Sequence, residues 1–195
     1  VYTVNMIDTV STDLRARLVA VALATLERGE AIGLRAVARD AGVSAMAPYR
    51  HFRDKDALLA AVALQGFETL RRELLAADQQ PNAPEALIAQ GEAYVAFARR
   101  HPKLFRLMFA GHDGGPPPVE DNAYGVMVRR VRQIAPENLE AATLACWSAV
   151  HGIATLALDG GLPTAGSPYE RAALVLIIRG LSKDGAIERG DSGKR

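Results

Sequence analysis

The sequence predicts an all-α protein of about nine helices, in which a small three-helix domain precedes a larger helical domain. Apolar residues recur at the three- and four-residue spacing of helices between breaks rich in glycine and proline. No stretch shows the two-residue alternation of a strand with any clarity. Hydrophobic residues make up 49% of the 195 residues and charged residues 23%, a composition that excludes a disordered chain. We therefore expect domains at 1–54 and 55–183, followed by a polar tail at 184–195.

The first helix is predicted from its apolar stripe and its ends. Residues 1–10 are expected to form a loose arm, and Ser11 or Thr12 can cap a helix that runs to about Arg28. Gly29 follows as the residue that ends it.

A second, short helix is predicted at Leu34–Ala41, because Leu34, Val37 and Ala38 fall on one face. Gly42 stands where a helix ends in a residue with positive φ. Ser44 is placed to cap a third helix that continues through Phe52. Two short helices joined by such a turn form a helix-turn-helix, whose second helix enters the major groove of DNA.

The residues of this turn resemble the N-terminal domain of the TetR family of bacterial repressors. The resemblance covers roughly the first 60 residues and implies a homodimer that binds a palindromic operator in double-stranded DNA. It rests on several residue types at fixed offsets, namely Ala38, Ala41-Gly42-Val43-Ser44, Tyr49-Arg50-His51-Phe52-Arg53-Asp54-Lys55 and Asp56-Ala57-Leu58-Leu59.

The resemblance implies that the helix at 44–52 lies in the major groove with its first residues at base edges. Ala45 and Met46 suit a thymine methyl group, whereas bidentate reading needs longer polar side chains. Arg35 and Arg50 are candidates for a guanine or a phosphate, and Tyr49 is either a phosphate contact or a core aromatic. The full set of predicted DNA-binding residues is Arg35, Ser44, Ala45, Met46, Tyr49, Arg50, His51 and Lys55.

Pro48 departs from the family pattern, which usually has a leucine-like residue at this position. A proline beyond the first helical turn removes one backbone hydrogen bond and crowds the carbonyl four residues earlier. It also biases Ala47 away from helical dihedral angles. We therefore expect the reading helix to start late or to be shortened, while Phe52 fills the core.

The second domain is predicted to begin with a long helix from Lys55 to about Ala77, capped by Asp54 and acting as a rigid connection. Proline and glycine then divide the chain. The segment Gly111–Pro118, GHDGGPPP, is too rich in these residues for regular structure. Further helices are expected at 84–101, 103–110, 120–134, 136–159 and 169–182.

The segment Trp147–Gly152 resembles the Trp-x-x-x-His-Gly signature of one type of TetR-family C-terminal domain. Relatives pair their last two long helices across a twofold axis, which implies dimerisation here through 136–159 and 168–182, with Gly152 allowing close helix approach. They also bind a small molecule in this domain, although plain core packing explains the same residues. The candidate ligand-pocket residues are Tyr94, Phe97, Phe105, Met108, Phe109, Trp147 and His151.

Catalysis is not expected. The four histidines share no metal-ligand spacing, the single cysteine, Cys146, excludes an internal disulfide and a cysteine-based zinc site, and no cofactor motif is present. We find no signal peptide and no apolar run of about 18 residues, so we expect a cytoplasmic protein with no membrane span.

The expected function is that of a repressor released from DNA by a small, largely apolar effector. The alternatives are a ligand-dependent activator of the same fold and a helical module that docks another protein.

Overall fold

The computed structural model describes the backbone of residues 4–110, 122–162 and 168–182 and the side chains of residues 13–110, 122–162 and 169–181. These residues form eight α-helices and two 3₁₀ turns, with no strand among them, so the predicted all-α class is confirmed. The polar tail, the segment at 111–118 and the capping side chains of Ser11 and Thr12 lie outside the described residues. The helices are α1 Val4–Arg28, α2 Leu34–Asp40, α3 Lys55–Ala77, α4 Ala83–Arg100, α5 Pro102–Met108, α6 Ala123–Ile134, α7 Leu139–Leu158 and α8 Pro168–Ser182, and the 3₁₀ turns are Pro48–Arg50 and Pro136–Asn138.

The first helix begins earlier than the sequence predicts. Residues 4–10, expected as a loose arm, belong to α1. Neither glycine nor proline occurs among the first 12 residues, so nothing in this segment interrupts the helix. The other end of α1 is as predicted: Gly29 has a φ of +78°, and the N–H of Glu30 donates to the carbonyl of Thr25 at 3.1 Å.

The helices divide into two compact units. The first contains Val1–Thr69 and Arg100–Pro117, and the second contains Leu70–Arg99 and Pro118–Arg195. The helix α3 therefore contributes residues to both.

The core of the first unit lies among α1, α2, the turn at Pro48–Arg50, α5 and the start of α3. Leu18 of α1, Val37 of α2 and Leu58 of α3 are almost completely buried. Gly66 of α3 admits α5 closely, because a Cβ there would lie 2.7 Å from Sδ of Met108.

The second unit packs α4, α6, α7 and α8 around aliphatic side chains. Leu87 and Ile88 of α4, Val131 of α6, Cys146 of α7 and Ile178 of α8 form its central cluster. The Arg99 guanidinium on α4 makes two hydrogen bonds to the Glu170 carboxylate on α8. Paired guanidinium–carboxylate contacts of this kind fix the relative orientation of two helices.

Candidate functional site

The turn after α2 has the geometry of the first half of a helix-turn-helix. Gly42 has a φ of +67°, which glycine adopts without a Cβ clash. The N–H of Val43 donates to the carbonyl of Ala38 at 3.0 Å, and the N–H of Gly42 donates to that of Arg39 at 3.0 Å. These two bonds satisfy carbonyls at the end of α2 and redirect the chain.

The second half of the motif starts later and is shorter than a full helix over 44–52, as the position of Pro48 predicts. The structure has a 3₁₀ turn at Pro48–Arg50, and Ser44 does not cap it, since the residue before the turn is Ala47 and no side chain bonds there. The cause is Pro48, which has no N–H to donate to the carbonyl of Ser44. That carbonyl instead accepts from the N–H of Ala47 at 2.9 Å.

One detail of this turn corrects the reasoning from sequence. Ala47 has helical dihedral angles, with φ −60° and ψ −42°, although a following proline disfavours them. Pro48 itself is fully buried in the first unit. The proline ring therefore serves as a core side chain, and its burial offsets the local backbone conflict.

Phe52 anchors the end of the turn. Its side chain is 2% exposed, which confirms the predicted core position, and the Arg15 guanidinium of α1 lies 5.3 Å from the centre of its ring. The N–H of Phe52 donates to the carbonyl of Pro48 at 2.9 Å. The buried side chains of Pro48 and Phe52 thus anchor the backbone on both sides of the exposed residues Tyr49 and Arg50.

The predicted DNA-binding side chains are mostly at the surface of the first unit. Met46 is 68% exposed, which is high for an apolar side chain in a folded protein, and Tyr49 is 41% exposed, more than a core aromatic would be. His51 is half-buried. The remaining members of the set are also exposed, namely Arg35, Ser44, Ala45, Arg50 and Lys55.

Lys55 is the first residue of α3. The Asp54 carboxylate caps this helix, since its Oδ1 accepts from the N–H of Ala57 at 2.8 Å. The other carboxylate oxygen of Asp54 lies 3.0 Å from Nε of Arg53. An exposed lysine at a helix N-terminus is a favourable position for a phosphate oxygen.

A second candidate site is a partly open cavity in the second unit. Its lining comes from α3, α4, α6, α7 and α8 and is mainly aliphatic, with Leu174 and Ile178 as typical members. Among the seven predicted pocket residues, Tyr94 lines this cavity. Phe97 is fully buried in the same unit. Phe105, Met108 and Phe109 lie in the first unit, where the ring of Phe109 packs edge-on against Phe67 with centres 5.4 Å apart.

Tyr94, Trp147 and His151 form an aromatic cluster beside the cavity. The Tyr94 hydroxyl lies 2.9 Å from Nδ1 of His151, and the rings of Trp147 and His151 are 5.9 Å apart, as their four-residue spacing on α7 predicts. Burial raises the pKa of Tyr94 and lowers the pKa of His151. Both groups are therefore neutral near pH 7, and Tyr94 can donate to the histidine.

Reasoning from sequence missed Gln90, a buried glutamine in the cavity wall. Its Nε2 donates to Oδ1 of Asp78 at 2.6 Å, and the same oxygen accepts from Nε of Arg130 at 2.8 Å. A signal was present, because Gln90 falls at helical spacing between Leu87 and Tyr94 on an otherwise apolar stripe.

Gly152 does not lie against a neighbouring helix in the described part of the chain. A Cβ there would meet no described atom within 4 Å. Close helix approach at Gly152 therefore does not involve another described helix of the same protomer, and close approach across a dimer stays a prediction.

Two family models match the chain. The model described as bacterial regulatory proteins, tetR family, matches residues 19–62, and the model described as Tetracyclin repressor-like, C-terminal domain, matches residues 87–177. No curated protein matches the chain significantly.

Solved structures resemble the chain over most of its length. A protein of unknown function from Rhodococcus sp. RHA1 is 36% identical, with a TM-score of 0.73 over 87% of this chain and 96% of the other. A TetR family transcription regulator from Marinobacter aquaeolei VT8 is 17% identical, with a TM-score of 0.65 over 85% of this chain and 93% of the other. A TetR variant from Acinetobacter baumannii AYE, solved in complex with minocycline, is 21% identical, with a TM-score of 0.60 over 84% and 93% of the two chains. With both of its domains matched, the chain belongs to the TetR family of bacterial regulatory proteins, which are DNA-binding transcription regulators and not enzymes.

Proposed function

We propose that this regulator is a homodimeric repressor, released from a palindromic operator by a small, largely apolar effector. DNA binding is supported by the exposed surface around the 3₁₀ turn at Pro48–Arg50, which is anchored by the buried side chains of Pro48 and Phe52. The effector part is supported by the aliphatic lining of the cavity in the second unit. Operator binding implies that the protein works in the cytoplasm.

Within this surface we assign different roles to different side chains. Tyr49, His51 and Lys55 contact phosphates and position the head without reading sequence. Arg35 and Arg50 have the guanidinium groups that recognise guanine through two hydrogen bonds. The short side chains of Ser44 and Ala45 allow close approach to a base edge, and Met46 suits a thymine methyl group.

These roles are tested by fluorescence anisotropy. The affinity of the protein is measured over a salt series for duplexes that tile the DNA beside its own gene. Lys55→Ala should weaken binding to all sequences by a similar factor and lower the slope of log affinity against log salt by about one per head, or about two per dimer. Arg35→Ala should instead change which sequence is preferred. Arg132→Ala is the charge-matched control, because Arg132 is exposed on α6 in the second unit.

A change in sequence preference caused by Lys55→Ala would contradict its assignment to a phosphate. Failure of the wild-type chain to bind any duplex at low salt, with or without metabolites from a cell extract, would favour a protein-docking module instead. Binding that appears only in the presence of such metabolites would favour a ligand-dependent activator.

The dimer is proposed to form through α7 and α8, which present apolar side chains to solvent. Leu144 of α7 is 57% exposed and Leu176 of α8 is 70% exposed. By length and composition alone, one helix among the described residues, Pro136–Leu158, could cross a membrane, and 28% of its most apolar window is buried. We propose that a second copy of the chain covers these apolar side chains, because TetR family members form dimers. A dimer contact would also explain why no described atom lies near Gly152.

Analytical ultracentrifugation tests this interface. Leu144→Glu together with Leu176→Glu places charges in the proposed contact, and we expect the dimer to dissociate to folded monomers. Leu64→Glu is the matched control, since Leu64 is 50% exposed on α3 in the first unit. A double variant that remains dimeric would exclude this face as the interface.

Release from DNA is proposed to follow from a two-state dimer. In one state the two heads match successive major grooves, roughly 34–36 Å apart, and the effector prefers the other state. The long helix α3, which contributes residues to both units, is the proposed lever. Effector and DNA must then weaken each other's binding by the same factor, and independent binding would refute the mechanism.

A further inference from the structure

The lining of the cavity in the second unit includes a buried glutamine, Gln90, whose chemistry selects a class of ligand. Its volume is about 40 Å³, and its walls are mostly aliphatic. A space of this size holds roughly three water molecules, so a larger molecule enters only if flexible side chains such as Leu174 move. Within these walls, the Gln90 side chain is 3% exposed.

The orientation of the Gln90 amide is determined by its neighbour. The Asp78 carboxylate can only accept hydrogen bonds, so the amide nitrogen must be the atom that faces it at 2.6 Å. The amide oxygen, Oε1, is therefore the atom of the side chain that does not bond to Asp78. Among the described residues, no group donates a hydrogen bond to Oε1 of Gln90, and this oxygen is buried.

The charges around Gln90 disfavour an anionic ligand. Asp78 carries a negative charge next to the amide, and its Oδ1 and its backbone carbonyl both accept from Arg130, at 2.8 and 2.9 Å. That arginine is therefore committed to Asp78. No charged side chain is found in the described lining of the cavity. A carboxylate entering this space would lose its hydration and find no cation.

We propose that this site binds a small, neutral, aliphatic molecule with one O–H or N–H group, and that this group donates a hydrogen bond to Oε1 of Gln90. The inference rests on the proposed effector function and specifies the chemistry of the effector. A buried acceptor without a partner rejects an isosteric ligand that lacks the donor, because the acceptor then remains unsatisfied.

Three compounds of similar length distinguish the polar groups: 1-hexanol has a hydrogen-bond donor, its isomer 1-methoxypentane has an acceptor but no donor, and hexanoate carries a negative charge. We would titrate each into the full-length protein without DNA by isothermal calorimetry, with the fluorescence of the single tryptophan, Trp147, as a second readout. Hexanol should bind at least about fivefold more tightly than the ether. Hexanoate should bind more weakly than both.

Gln90→Leu should remove the preference for hexanol over the ether while leaving the apolar contribution in place. Gln65→Leu is the matched control, because Gln65 is exposed on α3 in the first unit. If Gln90→Leu does not fold, Gln90→Met serves the same purpose, and the comparison of alcohol with ether in the wild-type protein tests the inference without any variant.

Equal affinity for alcohol and ether, strongest binding of hexanoate, or no binding of any of the three compounds would overturn the inference. So would an alcohol preference that persists without Gln90. These results are independent of the anisotropy measurements with DNA. A chain that binds its operator but does not discriminate the alcohol refutes this inference alone, whereas a chain that discriminates the alcohol but binds no DNA refutes the proposed function.

Discussion

Gly91→Ala is a direct test of how closely α4 and α8 pack beside the cavity. A Cβ at this position would lie 2.9 and 3.0 Å from the two δ carbons of Leu174. Carbon atoms in favourable contact are about 3.5–4.0 Å apart, so the leucine must move by several tenths of an ångström. The atoms concerned are the ends of a flexible side chain that itself lines the cavity.

Two opposing terms determine the change in the free energy of unfolding. Alanine in a helix interior is favoured over glycine by about 1 kcal/mol, whereas an extra methyl group in a packed core costs about 1–3 kcal/mol. Since Leu174 can turn into the cavity of about 40 Å³, the lower half of that range applies. We therefore expect a net destabilisation between zero and about 1 kcal/mol, together with weaker binding of 1-hexanol.

Urea denaturation at a fixed protein concentration measures the stability, and calorimetry measures the binding. Gly180→Ala on α8, made like Gly91→Ala in the background of the Leu144→Glu and Leu176→Glu double variant, is the control for helix propensity, because a Cβ there would meet no described atom within 4 Å. Stabilisation of the Gly91 variant to the same degree as this control would show that the contact with Leu174 does not exist in solution. A net loss above about 1 kcal/mol would show that Leu174 does not move into the cavity, because the methyl group would then cost the upper half of that range.

Two other substitutions test local features of the fold. Asp54→Ala removes the 2.8 Å cap of α3 and should lower the free energy of unfolding by about 1 kcal/mol in urea titrations, more than Asp56→Ala in the same helical turn. Burial lowers the pKa of His151 below its ordinary value of 6.5, so the unfolded chain takes up a proton before the folded chain does. Stability should therefore be complete above pH 6.5 and decline as the pH falls through the lower folded pKa. His151→Gln should flatten this decline, and an unchanged pH profile would exclude His151 as its origin.

The features that the sequence predicts well are those determined by neighbouring residues. Gly29 and Gly42 end their helices with positive φ, and Asp54 caps α3, as expected from local backbone chemistry. The buried face of α2 also follows from simple periodicity. Each of these depends on contacts that span only a few positions of the chain.

The features that the sequence predicts poorly depend on contacts between distant parts of the chain. Pro48 indicates a shortened helix, but its burial under the turn depends on the packing of the whole first unit. Phe105 and Tyr94 look equivalent in sequence, yet they belong to different compact units. The bond between Gln90 and Asp78 joins residues 12 apart across a loop, and no local pattern specifies it.

The 3₁₀ turn at Pro48–Arg50 is short, and the proposed dimer through the apolar face of α7 and α8 would compensate for the few bases that one turn can read. A 3₁₀ turn of three residues offers fewer positions for reading bases than a full recognition helix, and the exposed residues before it, Ala45 and Met46, have no hydrogen-bonding side chains. Each base pair that is read contributes about 1–3 kcal/mol of discrimination, so a single head of this kind recognises little sequence. In the proposed dimer, two heads linked through α7 and α8 would double the number of contacts with bases. We therefore expect specific binding to require the proposed dimer, and loss of the dimer to abolish operator selection before it abolishes attraction to DNA.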